Sequence, residues 1–407
     1  MGKRILVLGT GAQGSTVALR MDEEPGVSEI VCADHDEKAV DALVGILKKG
    51  RGARVDAGDA ACIREIARDV DLIVNALPLQ FGKGVLEAAI ALRTNYQDFA
   101  ATESIDKEWV NGIRIMLRDY SPRFRENGKL AVIGTGSAPG LICAATRVAM
   151  RELDSCDTIY NLVWEGVEAK RFQPYWWSPV TALNDMREDA FAYENGQIIR
   201  TTPFSLPVYR QYDYMNKPVC FVEHAHDEPV YMGLNAERYF KGAKNIYFKY
   251  SGAGVQFAEP LYKAGMLSKE PEEFNGRKIV PFDFVLKHVP PAPKYKEEIQ
   301  AILDEGLVSD SGCMVVEAYG KKDGRDVRVE THVLAPGLVD SFNRAGITAE
   351  MYITGQGGAL FTKMFVNDKY DQSGLITSDM LTEPEIDYYF ACAAELDITL
   401  RTEVFAV

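Results

Sequence analysis

The sequence predicts a doubly wound α/β fold joined to a second, α+β domain, and three observations predict it. Short apolar runs alternate with helix-length amphipathic stretches from Arg4 to Gly140. A glycine-rich loop follows the first of those runs directly. Beyond about Arg151 the texture changes to longer, aromatic-rich strand candidates punctuated by Pro174, Pro179, Pro203 and Pro207.

Six strands are expected in the first part, at residues 4–8, 29–33, 54–56, 71–76, 95–99 and 130–134. Each is too short for a buried helix and rich in Val, Ile or Leu, as strands of a parallel sheet covered on both faces are. Residues 37–49 place Val40, Leu43, Val44 and Leu47 on one stripe, so they form a helix over a sheet face, with Asp36 as its cap. Right-handed crossovers then wind the chain onto both faces. In the second part, residues 158–167 and 245–250 read as strands, and residues 313–319 and 325–334 form a hairpin across Asp323-Gly324. These strands suggest an antiparallel sheet, and the three prolines of residues 289–293 a connector. Residues 348–366 return to helical character, and Gly355, Gly357 and Gly358 allow a close neighbour, expected to be the first domain. The expected division is residues 1–148, 149–345 and 346–407, the last returning to the first domain.

The 407 residues carry 45 Lys and Arg against 59 Asp and Glu, a net charge of −14, which argues against nucleic acid and anionic membrane partners. Seven scattered cysteines without a C-x-x-C pair suit a reducing cytoplasm. The opening apolar run is too short for a signal peptide, and no later stretch reads as a membrane span. No P-loop and no G-x-S-x-G elbow occurs, so neither ATP-driven nor serine-hydrolase chemistry has a basis here.

Gly9-Thr10-Gly11-Ala12-Gln13-Gly14 lies between a strand and a helix, the context that makes a glycine pattern a dinucleotide fingerprint. Gly9 permits the tight turn, Gly11 lets a pyrophosphate touch the backbone, and Gly14 lets helix and strand pack closely. Unpaired amides at the helix start favour the anion. Asp34 lies twenty residues beyond Gly14, where a carboxylate accepts from ribose hydroxyls and repels a 2′-phosphate, so NAD is expected rather than NADP. His35 beside it tolerates that phosphate when protonated and otherwise reads as a solvated loop residue.

Asn75, Ala76 and Leu77 end the fourth strand, where the nicotinamide half of such a cofactor lies, and Gln80 follows in reach of cofactor or substrate. The fifth strand carries Tyr96 and Asp98 on one face, with Glu103 shortly after. Asp98 and Glu103 are the candidate catalytic carboxylates; the competing readings are a strand-end cap for Asp98 and a helix-start carboxylate for Glu103. In the second domain His224 and His226 are two apart and face one side of a strand, a pattern that fits substrate contact better than a metal, and no metal site is expected. Arg171, preceding an aromatic run through Trp176 and Trp177, is a candidate carboxylate clamp, with core packing the alternative for the rings.

These segments together resemble the saccharopine dehydrogenase-like oxidoreductases, which include saccharopine reductases, carboxynorspermidine dehydrogenases and, most similar to this chain, lysine 6-dehydrogenases. The likeness rests on Val7-Leu8-Gly9-Thr10-Gly11 with Gly14, Ala33-Asp34, Asn75-Ala76-Leu77 with Gln80-Phe81, Tyr96-Gln97-Asp98, and Ala138-Pro139-Gly140-Leu141. It implies a Rossmann domain interrupted by a mixed-sheet domain for substrate binding and homodimerisation. It further implies hydride transfer at a CH–NH bond of an amino acid, diamine or amine–carbonyl condensation product. Such chemistry needs a proton acceptor for the ammonium and anions for spare amino groups. The competing reading is a protein that holds NAD for structure or sensing, without turnover.

Overall fold

The computed structural model describes residues 2–100, 105–106 and 108–407. The chain divides into two compact units, Met1–Ala144 with Ile353–Ile398, and Ala145–Tyr352 with Thr399–Val407.

The first unit is a parallel sheet built from β1 (Lys3–Leu8), β2 (Val27–Asp34), β3 (Gly50–Arg54), β4 (Leu72–Asn75), β5 (Asn95–Asp98), β6 (Leu130–Ile133) and a last strand, Gly374–Thr377. Their spatial order is Gly374–Thr377, β6, β5, β4, β1, β2, β3. The chain leaves β1 for β2 on one side and later returns to β4 on the other, so the connections diverge at the carboxyl end of β1. Ile5, Leu6, Val7 and Leu8 are fully buried, each contributing about 1.5–3 kcal/mol relative to exposure. Helix α1 (Ala12–Glu23) follows β1, and α2 (Glu37–Val44) follows β2, its first amides capped by the Asp36 carboxylate.

Three details depart from expectation, each for a local reason. The third strand is Gly50–Arg54 rather than residues 54–56, because register with β2 runs from Ile30 to Asp34 and an edge strand needs no apolar alternation. Helix α2 stops at Val44 rather than Lys49: Gly45 follows, and the Asp22 carboxylate takes the amides of Lys48 and Lys49 at 3.0 and 2.7 Å. Strand Gly374–Thr377 is unforeseen, since four buried residues show no period. The long helix Ala349–Val366 is where the sequence places it, and its part within this unit packs closely. A Cβ on Gly355 would meet Thr16 at 2.6 Å, and one on Gly358 would meet the Phe99 ring at 2.3 Å.

The second unit holds a nine-stranded sheet. Its centre is Ser155–Glu165, flanked by Asn245–Gly252 and by the hairpin Gly312–Lys322 with Arg325–Leu334. Asp323 and Gly324 turn that hairpin with φ of 49° and 74°, the left-handed pair that such a turn demands. The sheet is mixed rather than purely antiparallel, because Asn245–Gly252 runs parallel to Ser155–Glu165. The final strand, Thr399–Ala406, pairs with Arg325–Leu334 inside this sheet, so the tail beyond Ile398 belongs to the second unit and not to the first. Among the described residues no helix is long and apolar enough to cross a membrane.

Candidate functional site

The glycine loop is shaped by missing side chains. Gly9 adopts φ +90°, and a Cβ on Gly14 would lie 1.9 Å from the Gly9 carbonyl, so neither position accepts another residue without moving the turn. Gly11 is different. It is the N-cap residue of α1, caps no amide with a side chain, and a Cβ built there meets nothing within 4 Å. Open space against bare amides at the start of a twelve-residue helix is what a pyrophosphate requires, so these residues fit a dinucleotide. Ala12 and Gln13 continue the cradle, and the buried Oε1 of Gln13 has no hydrogen-bond partner.

Asp34, at the end of β2, accepts from the Thr10 amide at 2.7 Å and the Thr10 hydroxyl at 3.2 Å, and on its other oxygen from the Asp36 amide at 3.1 Å. Burial works to raise this carboxyl, but the Thr10, Asp36 and His35 donors together hold it below its usual range. Asp34 therefore stays ionised and ties the loop to β2. His35 Nδ1 lies 2.7 Å from the same carboxylate while its ring is largely in solvent.

At the ends of β4 and β5 a buried chain of hydrogen bonds runs from Asn75 Nδ2 to Tyr96 OH at 3.0 Å and from Tyr96 OH to Asp98 Oδ2 at 2.8 Å. The other Asp98 oxygen accepts from the Gly134 amide at 3.1 Å. Asp98 is 1% exposed, so it holds the ends of β5 and β6 together rather than facing solvent. Its own backbone takes part, the carbonyl accepting from Thr135 Oγ1 at 2.7 Å. Asn75 Oδ1 accepts from the Leu77 amide at 3.2 Å, which fixes Ala76 and Leu77 beyond the strand. Gln80 is exposed on the short turn that follows. Glu103 lies outside the described residues.

In the second unit, Arg171 forms a surface ion pair with Glu305. Trp176 is core, 1% exposed, donating from Nε1 to the Val167 carbonyl at 3.0 Å. His224 and His226 are brought together with groups that sequence alone does not single out. Register pairs Tyr250 with Val163 and Gly252 with Glu165, so Phe248, Tyr250 and Glu165 share one face of the sheet. His226 stacks on Phe248 at 3.9 Å, and His224 lies 4.7 Å from the Tyr250 ring. Burial and the neighbouring His226 push His224 down to about 3, so it is neutral. Burial opposes a charge on His226, but the Glu228 carboxylate, 2.7 Å from Nδ1, outweighs it and raises the ring above its usual value.

Two carboxyls complete this face, Glu165 and Glu350. Burial lifts Glu165 to about 7 despite the opposing effect of Tyr250, Trp177 and His226. Burial, then the Glu165 and Asp310 carboxylates, lift Glu350 to about 8. The Tyr250 hydroxyl and Trp177 Nε1 lie toward Glu165 without meeting hydrogen-bond geometry, and Glu350 Oε2 is likewise unpartnered. Glu165 sits among strand residues and Glu350 reads as a helix-start acid, so the only sequence signal was a carboxylate closing an aromatic strand. Among the described residues Glu330, His332 and Glu403 bring possible metal ligands within 4.8 Å, but Arg328 pairs with Glu330 at 2.8 Å and the Tyr214 hydroxyl with His332 at 2.9 Å.

A parallel sheet with a glycine cradle at its divergence point and an acid ending the second strand defines a dinucleotide-binding domain. Residues 5–132 match the family model for the saccharopine dehydrogenase NADP binding domain. A carboxyaminopropylagmatine dehydrogenase from Synechocystis sp. is 25% identical over 423 residues, covering 97% of this chain and 96% of that protein. The structure of saccharopine dehydrogenase (L-Glu forming) from Saccharomyces cerevisiae superposes with a TM-score of 0.71 at 14% identity, covering 100% of both chains, which shows a common fold. The first unit thus carries a domain similar to the saccharopine dehydrogenase NADP binding domain, and the chain is an oxidoreductase that depends on NAD or NADP.

Proposed function

We propose that the chain is an NAD-preferring dehydrogenase acting at a CH–NH bond of an amino acid, a diamine or an amine–carbonyl condensation product. The observation that carries this is the open space at Gly11 against the bare start of α1, with Asp34 fixed and ionised across the loop. The Synechocystis relative, named for an amine-derived substrate and alike along nearly the whole chain, supports the substrate class. Residues 9–14 would hold the pyrophosphate, Asp34 the adenosine ribose, and Asn75, Ala76 and Leu77 the nicotinamide side. When bound, the cofactor supplies the hydride acceptor or donor.

The chain's own residues divide the remaining work. Asp98 acts as a positioning residue, keeping Tyr96 and the end of β6 in place, and Glu103 is the second proposed catalytic carboxylate. Tyr96, Gln80, His224 and His226 are proposed substrate contacts; Arg171, occupied by Glu305, is the weakest member of that set. A cytoplasmic homodimer with its seven cysteines free belongs to the same proposal.

Incubating purified protein with NAD or NADP and a panel of amino acids and diamines, while following nicotinamide absorbance, tests this reading. Substrate-dependent change supports it. Cofactor binding by calorimetry without change for any substrate would favour a protein that binds NAD without turnover. Asp34→Ala should raise the NAD requirement and narrow the preference over NADP; unchanged preference would contradict the role given to Asp34.

A further inference from the structure

We propose that the face of the second unit formed by Glu165, Glu350, Tyr250 and Trp177 binds a cationic nitrogen of the substrate, one that is not the reacting nitrogen. This rests on the dehydrogenase reading and narrows its substrate class to compounds with a second amino or guanidino group.

The argument begins with unused hydrogen-bonding capacity. Five buried polar atoms gather here without a partner: Trp177 Nε1, His224 Nε2, Glu228 Oε1, Tyr250 OH and Glu350 Oε2. Tyr250 is 5% exposed, His224 3% and Glu228 fully buried, so water does not readily serve these three. Leaving such groups idle is unfavourable, which a fold tolerates where a ligand later satisfies them. The Tyr250 hydroxyl lies near both carboxyls, since Glu165 and Glu350 each act on it.

Charge identifies the ligand. Two buried carboxyls lie close enough for Glu165 to act on Glu350, and the groups acting on them are Tyr250, Tyr175, Trp177, His226 with its partner Glu228, Asp310 and Thr348. Only His226 among these is cationic, and Glu228 already balances it. An anion or a neutral ligand gives these carboxyls no reason to ionise. A cation draws them into the charged form and pairs with it, and the aromatic rings of Trp177 and Tyr250 suit an ammonium or guanidinium.

Chemistry then separates this nitrogen from the reacting one. Hydride leaves an amine carbon once its nitrogen is neutral, whereas two carboxyls around a nitrogen keep it protonated. The face therefore suits a spare cationic end of the substrate and not the end that reacts.

Calorimetry on the whole protein without nicotinamide cofactor tests this with putrescine and with guanidinobutylamine as probes and glutarate as the anionic control. The cations should bind near neutral pH and release protons, read as heats that differ between phosphate and Tris, because both carboxyls must ionise to meet the ligand. Glutarate should not bind. Glu165→Gln and Glu350→Gln should each weaken binding by about thirtyfold or more, the loss expected when one partner of a buried charge pair is removed. Both variants keep the shape of the side chain and remove repulsion, and unchanged circular dichroism confirms their fold. Wild-type affinity in both variants, or heats that do not depend on buffer, overturns the proposal. Cation binding that meets these criteria in a protein showing no turnover supports this site while removing the dehydrogenase reading. Turnover of a diamine with KM unchanged in both variants does the reverse.

Discussion

The glycine loop of the first unit and the carboxyl face of the second are built on opposite principles. In the loop, shape does the work: Gly9 and Gly14 are where they are because a side chain would collide, and the one acid, Asp34, has donors on both oxygens. On the carboxyl face, side chains crowd together with donors and acceptors idle, and Glu165 and Glu350 are lifted to about 7 and about 8. The loop has its shape before a ligand arrives, whereas the face becomes balanced only with a cation present. One site is preorganised by geometry and the other is poised by charge.

The sharpest way to break this contrast is to add one methyl at each of two glycines. In Gly14→Ala the new Cβ lies 1.9 Å from a backbone carbonyl that cannot rotate away, so the turn must shift. We expect a loss of about 3 kcal/mol in stability, the upper end for overpacking, and no measurable NAD binding. In Gly11→Ala the methyl enters open space with an ordinary φ of −70°, so thermal unfolding should match the wild type. NAD affinity should nevertheless fall at least roughly tenfold, because the methyl occupies the place of the pyrophosphate. Equal affinities in wild type and Gly11→Ala would remove the cofactor from that spot.

Asp98→Asn comes next. An amide in place of the carboxylate can satisfy only one of the Tyr96 and Gly134 donors and turns an N–H toward the other, a cost of about 1–3 kcal/mol. As a positioning residue Asp98 should lower kcat with the KM for NAD little changed and the pH profile of kcat in the same place. Disappearance of the acidic limb of that profile would make Asp98 the proton acceptor instead.

The same contrast explains what was legible in the sequence. The loop's contacts are backbone groups of six consecutive residues, and the strand that precedes it and the acid that follows are fixed by the period of the fold. The sheet of the first unit was readable for the same reason, except for Gly374–Thr377, which joins β6 after a long excursion that no local pattern reports. The carboxyl face draws Glu165, Trp177, His224, Tyr250 and Glu350 from five separate segments, and only the two histidines carried a visible pattern. Asp98 lay between these cases: spacing put it beside Tyr96, but its bond to the Gly134 amide depends on how β5 meets β6.

Acidity offers a smaller but direct measure of the poised face. Both glutamates have folded values above their ordinary 4.5, so the folded chain keeps protons that the unfolded chain releases. Their contribution is fully present below about pH 4.5 and is lost as pH rises through about 7 to 8, so stability should decline across that interval. Other groups titrate there as well, and Glu350→Gln isolates the term. The melting temperature of the variant should be the higher at pH 8.5, by a few degrees, and should converge on the wild type near pH 5. Parallel curves would mean that burial and its neighbours do not hold Glu350 protonated, and the proton release expected on cation binding would fall with them.

The smallest effect should come from Arg171. Its guanidinium is exposed and already meets Glu305, and a pair in that setting is screened by water and salt. Arg171→Ala should leave the melting temperature and KM for a carboxylate-bearing substrate within error. A large rise in KM would show that Arg171 abandons Glu305 for the substrate, and would turn a surface ion pair into part of the binding machinery. Because Glu305 competes for the same guanidinium, Glu305→Gln should in that event lower KM, and the two variants together decide between a resting contact and a clamp.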